Sequence, residues 1–144
     1  RDPLGGGSAG NDDPRRSVMP EFRVLLVDDE EDFVKTLSER VCMRDIESNV
    51  ALTGEDALSM LQEEVPDVMV LDLRMPGIGG MEVLSRVREA YPQLQVIILT
   101  GHGTDKDGEE AKHLGAFEYL QKPVDLEKLV CTMKAAYEKK LEGF

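Results

Sequence analysis

Three apolar runs of four residues constrain this chain most: Val24 to Val27, Val68 to Leu71 and Val96 to Leu99. Each is apolar at every position, too short for a helix, and bounded by polar or turn-forming residues, as strands covered on both faces should be. Between them lie stretches with apolar spacing near 3.6. Phe33, Leu37 and Val41 fall on one predicted helical face, Ala57, Leu58 and Leu61 on another, and Val83, Leu84 and Val87 on a third. Two weaker strands complete the pattern, one around Glu47 to Leu52 and one over Phe117 to Leu120. A last helix begins after Asp125 and turns Leu126, Leu129, Val130, Met133 and Tyr137 inward. Five strand-helix pairs in alternation mean right-handed crossovers, a parallel sheet and helices on both faces. The expected fold is therefore α/β and doubly wound, with its site at the carboxyl ends of the strands.

Punctuation supports the division. Thr53-Gly-Glu-Asp56 reads as a capping-box-like helix start, and Val65-Pro66 and Tyr91-Pro92 read as stops. The segment Gly101 to Gly115 is the poorest helix, because Gly103, Gly108 and many charges leave Ala111 and Leu114 as its main apolar contacts. Met43, Met60, Met69, Met81 and Met133 read as core filling. Residues 1–21 contain Leu4, Val18 and Met19 as their sizeable apolar side chains, too few to offset the entropy of ordering. That stretch reads as a tail, linker or cloning scar, and residues 22–144 as one domain.

Charge narrows the function. The 144 residues carry 29 Asp and Glu against 17 Lys and Arg, a formal net charge of -12. Residues 1–20 hold three of each sign, so the acidity belongs to the folded part. Direct binding to nucleic acid or to an anionic lipid surface is disfavoured, and cations or basic protein faces are the expected partners. No apolar run approaches the length of a membrane helix. Cys42 and Cys131 are too few for a disulfide framework and read as reduced thiols of a cytoplasmic protein.

The chemistry sits where the strands end. Asp28 and Asp29 follow the first strand, Asp72 the third, Thr100 the fourth, and Lys122-Pro123 the fifth. Like charges about 4 Å apart repel by about 4 kcal/mol at an effective dielectric near 20, so three clustered carboxylates need a cation or a raised pKa. Oxygen-only ligation with no histidine or thiolate pair suits Mg²⁺. Lys122 then faces a carboxylate or a phosphoryl oxygen, and Thr100 donates to the same oxygen. Taken singly, Asp28 to Glu31 is an acidic helix start, and His102 and His113 lack partners at metal-ligand spacing. Arg74 and His102, two residues beyond Asp72 and Thr100, stand where they would tune water access to a phosphoryl group.

The segments Val24-Leu-Leu-Val-Asp-Asp-Glu30, Val70-Leu-Asp-Leu-Arg-Met-Pro-Gly77, Ile98-Leu-Thr-Gly101 and Gly115-Ala-Phe-Glu-Tyr-Leu-Gln-Lys-Pro123 resemble the receiver domains of two-component response regulators, of chemotaxis-regulator type. The resemblance covers about Phe22 to Leu141. It implies a flavodoxin-like strand order of 2-1-3-4-5 and Asp72 as acceptor of a phosphoryl group from a histidine kinase or a histidine phosphotransfer protein. It further implies Asp29, Asp72 and the Arg74 carbonyl as Mg²⁺ ligands, Asp28 acting through water, Thr100 and Lys122 as phosphoryl contacts, and Tyr119 as the switch aromatic. Pro123 often follows a cis bond in the family. Output to an effector, and a homodimer where one forms, is expected on the face of helix 4, strand 5 and helix 5. Such a domain is no turnover enzyme; it catalyses its own phosphorylation and dephosphorylation.

Rival readings fare less well. A haloacid-dehalogenase-like phosphohydrolase needs a second acid two residues after the nucleophile, where Arg74 stands. A flavin site of this fold needs a phosphate loop after the first strand, where acids stand instead. The remaining alternative is a phosphorylation-independent interaction module. With no room for a DNA-binding domain, the chain reads as a single-domain regulator, a C-terminal receiver or an excised fragment.

Overall fold

The computed structural model describes residues 22–143, so the tail predicted for residues 1–21 lies outside the described residues. The elements run β1 (Arg23–Val27), α1 (Glu31–Cys42), β2 (Glu47–Ala51), α2 (Gly54–Glu63), β3 (Val68–Leu71), α3 (Gly80–Ala90), β4 (Gln95–Thr100), α4 (Asp105–His113), β5 (Glu118–Gln121) and α5 (Leu126–Glu142). All strands pair in parallel in the order β2-β1-β3-β4-β5. The fold is the expected flavodoxin-like one.

The alternation of side chains along each strand divides the interior into two cores. Val24, Leu26, Val68, Val70, Ile97 and Leu99 face α1 and α5, meeting Val34, Leu37, Val41, Leu129, Val130 and Met133. Leu25, Val27, Met69, Leu71, Val96 and Ile98 face α2, α3 and α4, meeting Ala57, Leu61, Val83, Leu84, Val87 and Ala111. Each fully buried Leu, Ile or Val contributes roughly 1.5–3 kcal/mol of transfer free energy, which is why the central strands are apolar throughout Val24–Val27, Val68–Leu71 and Val96–Leu99. The edge strands β2 and β5 keep polar residues on their open sides.

Two apolar assignments change. Helix α1 buries Val34, Leu37 and Val41, spaced three and four apart, so Phe33 is rotated off the core stripe and is 36% exposed. Met43 is 81% exposed because the helix has ended there and the chain turns away. Met69 and Met133 are core residues as expected, and Met60 and Met81 pack partly buried against the second core. At α2, Thr53 Oγ1 accepts the Asp56 N–H at 3.0 Å, but among the described residues no bond from the Thr53 N–H to the Asp56 carboxylate closes the box, and the neighbouring Glu55 carboxylate accepts the Ile78 N–H at 3.1 Å. The complete capping box is on α4, where Thr104 Oγ1 accepts the Asp107 N–H and Asp107 Oδ2 accepts the Thr104 N–H. The helix weakest in apolar contacts is the best capped.

Register sets the site. Val27 is level with Leu71, so Asp28 and Asp72 emerge side by side, each N–H continuing the ladder to Ala51 and Val27 carbonyls. Thr100 pairs with Gln121, and the Lys122 N–H donates to the Thr100 carbonyl at 2.9 Å. The Lys122–Pro123 peptide bond is cis.

Candidate functional site

Asp28, Asp29 and Asp72 each present a carboxylate oxygen, and these oxygens lie within 4.8 Å of one another. Asp28 is 4% exposed and Asp72 3%, while Asp29 faces solvent. Two buried carboxylates beside a third are electrostatically unfavourable without positive charge. Lys122 supplies part of it. Its Nζ donates to Asp28 Oδ2 at 2.7 Å and to Glu30 Oε1 at 2.6 Å, and it lies 4.3 Å from the centroid of the Phe33 ring.

The titration behaviour follows from this arrangement. Burial pushes the Asp28 carboxyl above its ordinary value, and the Lys122 ammonium and the Glu30 N–H only partly hold it down. The neighbouring Asp72 charge adds to the rise. Glu30 is exposed, so the Lys122 hydrogen bond holds its carboxyl below the ordinary value. Burial pulls Lys122 down, yet its hydrogen bonds with Asp28 and Glu30 and the Asp28 and Asp72 charges outweigh that and raise it. Lys122 is a firmly charged ammonium.

Asp72 Oδ1 is buried and finds no hydrogen-bond partner among the described residues. A buried carboxylate oxygen left without a donor is rare and costly, and an oxygen-only donor set of three acids around it fits a hard divalent cation. Tight local packing positions that carboxylate. A Cβ at Gly80 would stand 2.3 Å from the Asp72 carbonyl oxygen, so only glycine lets α3 begin against the end of β3. Gly77, at φ 76°, and the Glu55 carboxylate fix the loop between them.

Thr100 is fully buried, its Oγ1 accepting the His102 N–H at 3.3 Å. The Tyr119 hydroxyl donates to the Thr104 carbonyl at 3.0 Å, and its ring lies where Cβ atoms at Gly103 and Gly108 would be. Arg74 is exposed, its Nη2 3.8 Å from Asp107 Oδ2 on α4. The structure thus gathers Asp28, Asp29, Asp72 and Lys122 at one rim, with Thr100 at the neighbouring strand end. Tyr119 packs against the first turns of α4.

Sequence reasoning missed Glu30, Phe33 and the two glycines under Tyr119. Glu30 had a signal, since the acidic run after β1 continues beyond Asp29. Phe33 had none, because its spacing matched a core face.

Fold and rim together define a doubly wound domain that brings a buried, unpartnered carboxylate, a three-acid pocket and an ammonium to the same strand ends. Comparison with known proteins agrees. The family "Response regulator receiver domain" matches residues 24–134. Regulatory protein AtoC of Escherichia coli is 33% identical over 116 residues, 81% of this chain and 25% of that protein. A response regulator receiver domain protein from Clostridium thermocellum superposes with a TM-score of 0.80 at 31% identity, covering 85% of this chain and 98% of that one. The beryllofluoride-activated NtrC4 receiver domain dimer superposes at 0.78 and 35% identity, covering 82% and 98%. The chain belongs to the response regulator receiver domain family. It spans about a quarter of the length of the curated relatives it matches, and its Asp28, Asp29 and Asp72 pocket is typical of the family's Mg²⁺ site.

Proposed function

We propose that the domain is a phosphorylation-activated switch in which Asp72 takes a phosphoryl group from the phosphohistidine of a sensor kinase or phosphotransfer protein. An Asp72 oxygen bonds to phosphorus as the P–N bond breaks, and the histidine imidazole leaves. The observation that carries the reading is the buried, unpartnered Asp72 Oδ1 within the three-acid pocket. Asp29, Asp72 and the Arg74 carbonyl are the assigned Mg²⁺ ligands, with Asp28 acting through water. Bound Mg²⁺ neutralises the pocket and withdraws charge from the phosphoryl oxygens. Lys122 and Thr100 stabilise the same oxygens through an ammonium and a hydroxyl.

Thr100 moving toward the phosphoryl group frees space for Tyr119, and the change reaches the α4, β5 and α5 face. That face is assigned to the effector and to a homodimer, in keeping with the dimeric state of the activated NtrC4 receiver. The domain acts stoichiometrically, on itself, in the cytoplasm, and binds neither membrane nor nucleic acid directly. None of its described helices is long and apolar enough to cross a membrane.

Acetyl phosphate with Mg²⁺ tests the reading by intact mass. One added phosphoryl group, absent without Mg²⁺ and absent in Asp72→Asn, is expected. No adduct in the wild-type chain contradicts it and favours a phosphorylation-independent interaction module.

A further inference from the structure

The first turn of α4 is tied to the loop that follows the acceptor strand. Arg74 Nη2 lies 3.8 Å from Asp107 Oδ2. That same oxygen accepts the Thr104 N–H at 3.0 Å, and Thr104 Oγ1 accepts the Asp107 N–H at 3.1 Å. The Thr104 carbonyl in turn accepts the Tyr119 hydroxyl at 3.0 Å. A continuous polar chain therefore runs Arg74, Asp107, Thr104, Tyr119, and it does not pass through Thr100. Gln121 Nε2 adds a bond to the Gly103 carbonyl at 3.0 Å, so the segment leading into α4 is held from β5 as well.

We propose that Arg74 is a positioning residue for this turn: it holds Asp107 in the unphosphorylated protein and transfers to the phosphoryl group once Asp72 is modified. The proposal rests on Asp72 being the acceptor. Two residues extend no more than about 7 Å, so the Asp72 and Arg74 Cα atoms are within one arginine side chain of each other. The pair being given up is long, and both side chains are solvent-accessible, so little is lost on breaking it. A phosphoryl group offers more charge than one carboxylate and three acceptor oxygens that match the guanidinium fork. Exchange is therefore favourable. What it leaves behind is an Asp107 bonded to Thr104 alone, at the start of a helix whose next residue is Gly108, the poorest helix former short of proline. The first turn loosens, and with it the carbonyl that holds Tyr119.

Asp107→Asn tests this cleanly, because the amide oxygen still accepts the Thr104 N–H while the charge facing Arg74 is gone. Amide exchange at Thr104, Asp107 and Gly108, the bonded amides of this turn, is read by mass spectrometry or NMR in the full chain, its Asp107→Asn and Arg74→Gln variants, and the double variant. Without phosphodonor, each single variant is expected to accelerate exchange about two- to fivefold, with the double variant no faster than either. With acetyl phosphate and Mg²⁺ the wild-type turn accelerates by a similar factor, and the variants gain little more. Arg74→Lys keeps the charge and restores most of the unphosphorylated protection. A double variant equal to the product of the singles overturns the latch. So does a wild-type chain that takes up phosphoryl on Asp72 with unchanged exchange at Thr104, Asp107 and Gly108. No adduct at all overturns both the acceptor reading and the release step, so the two failures are told apart by mass.

Discussion

Lys122 serves two carboxylates that differ in burial, and the difference has thermodynamic consequences. Asp28 is buried beside Asp72, so its ionised form opposes folding. Asp28→Asn keeps an oxygen for Lys122 and removes that charge, so we expect it to raise stability by about 1 kcal/mol at neutral pH without Mg²⁺. The sign of the pH dependence follows from the raised carboxyl. Above 3.8 and below its raised value, the folded protein holds a proton that the unfolded chain releases, so stability falls as pH rises through that window. The advantage of Asp28→Asn should therefore be greatest near neutrality and shrink as pH drops toward 4 in urea titrations. A constant difference across that range would show that burial of charge is not the cause. Glu30 runs the other way: its lowered carboxyl adds stability above 4.5 that is lost as pH falls below it.

Helix α4 shows how an element with little apolar surface is kept in place. Its buried side are Gly108 and Ala111, and its start is secured by the Thr104–Asp107 box. Thr104→Ala should cost about 1 kcal/mol and accelerate amide exchange in the first turn. Gly108 gives a sharper test, because Gly→Ala in a helix ordinarily stabilises by about 1 kcal/mol. Here the new Cβ would stand 2.8 Å from Tyr119 Cδ2, so Gly108→Ala should destabilise by about 1–2 kcal/mol. In a Tyr119→Ala background the same substitution should stabilise. Stabilisation in both backgrounds would mean that the Tyr119 ring does not rest on this helix.

At the scale of the molecule, the strand ends converge because β1, β3 and β4 are covered on both faces. Sequence periodicity made the parallel, doubly covered sheet readable, because all-apolar runs such as Val68 to Leu71 leave no choice of face, while the order 2-1-3-4-5 came from the family resemblance. Asp28 and Asp72 were legible for the same reason, since they follow those runs directly, whereas Lys122 ends the weaker β5 one residue beyond Gln121 and was legible from the family motif. What periodicity could not resolve was rotation by one residue, as at Phe33 and Val34, or tertiary use of an acid, as when the Glu55 carboxylate in the first turn of α2 accepts the Ile78 N–H. Glycines 80 and 108 were equally silent, because the atoms they make room for come from distant segments. The net charge of -12 adds a general self-repulsion that any salt relieves, whereas the pocket should recognise Mg²⁺ specifically. At a hundredfold excess over its Kd, Mg²⁺ should stabilise the fold by about 2.7 kcal/mol beyond NaCl of equal ionic strength. Asp29→Asn should remove most of that excess in thermal melts.

The central claim is that the Asp72 carboxylate itself carries the phosphoryl group. After reaction with acetyl phosphate and Mg²⁺, borohydride reduces an acyl phosphate to the corresponding alcohol, and peptide mass mapping locates it. We predict homoserine at position 72 alone; homoserine at 28 or 29, or at no position in a chain that has gained phosphoryl mass, would contradict the account.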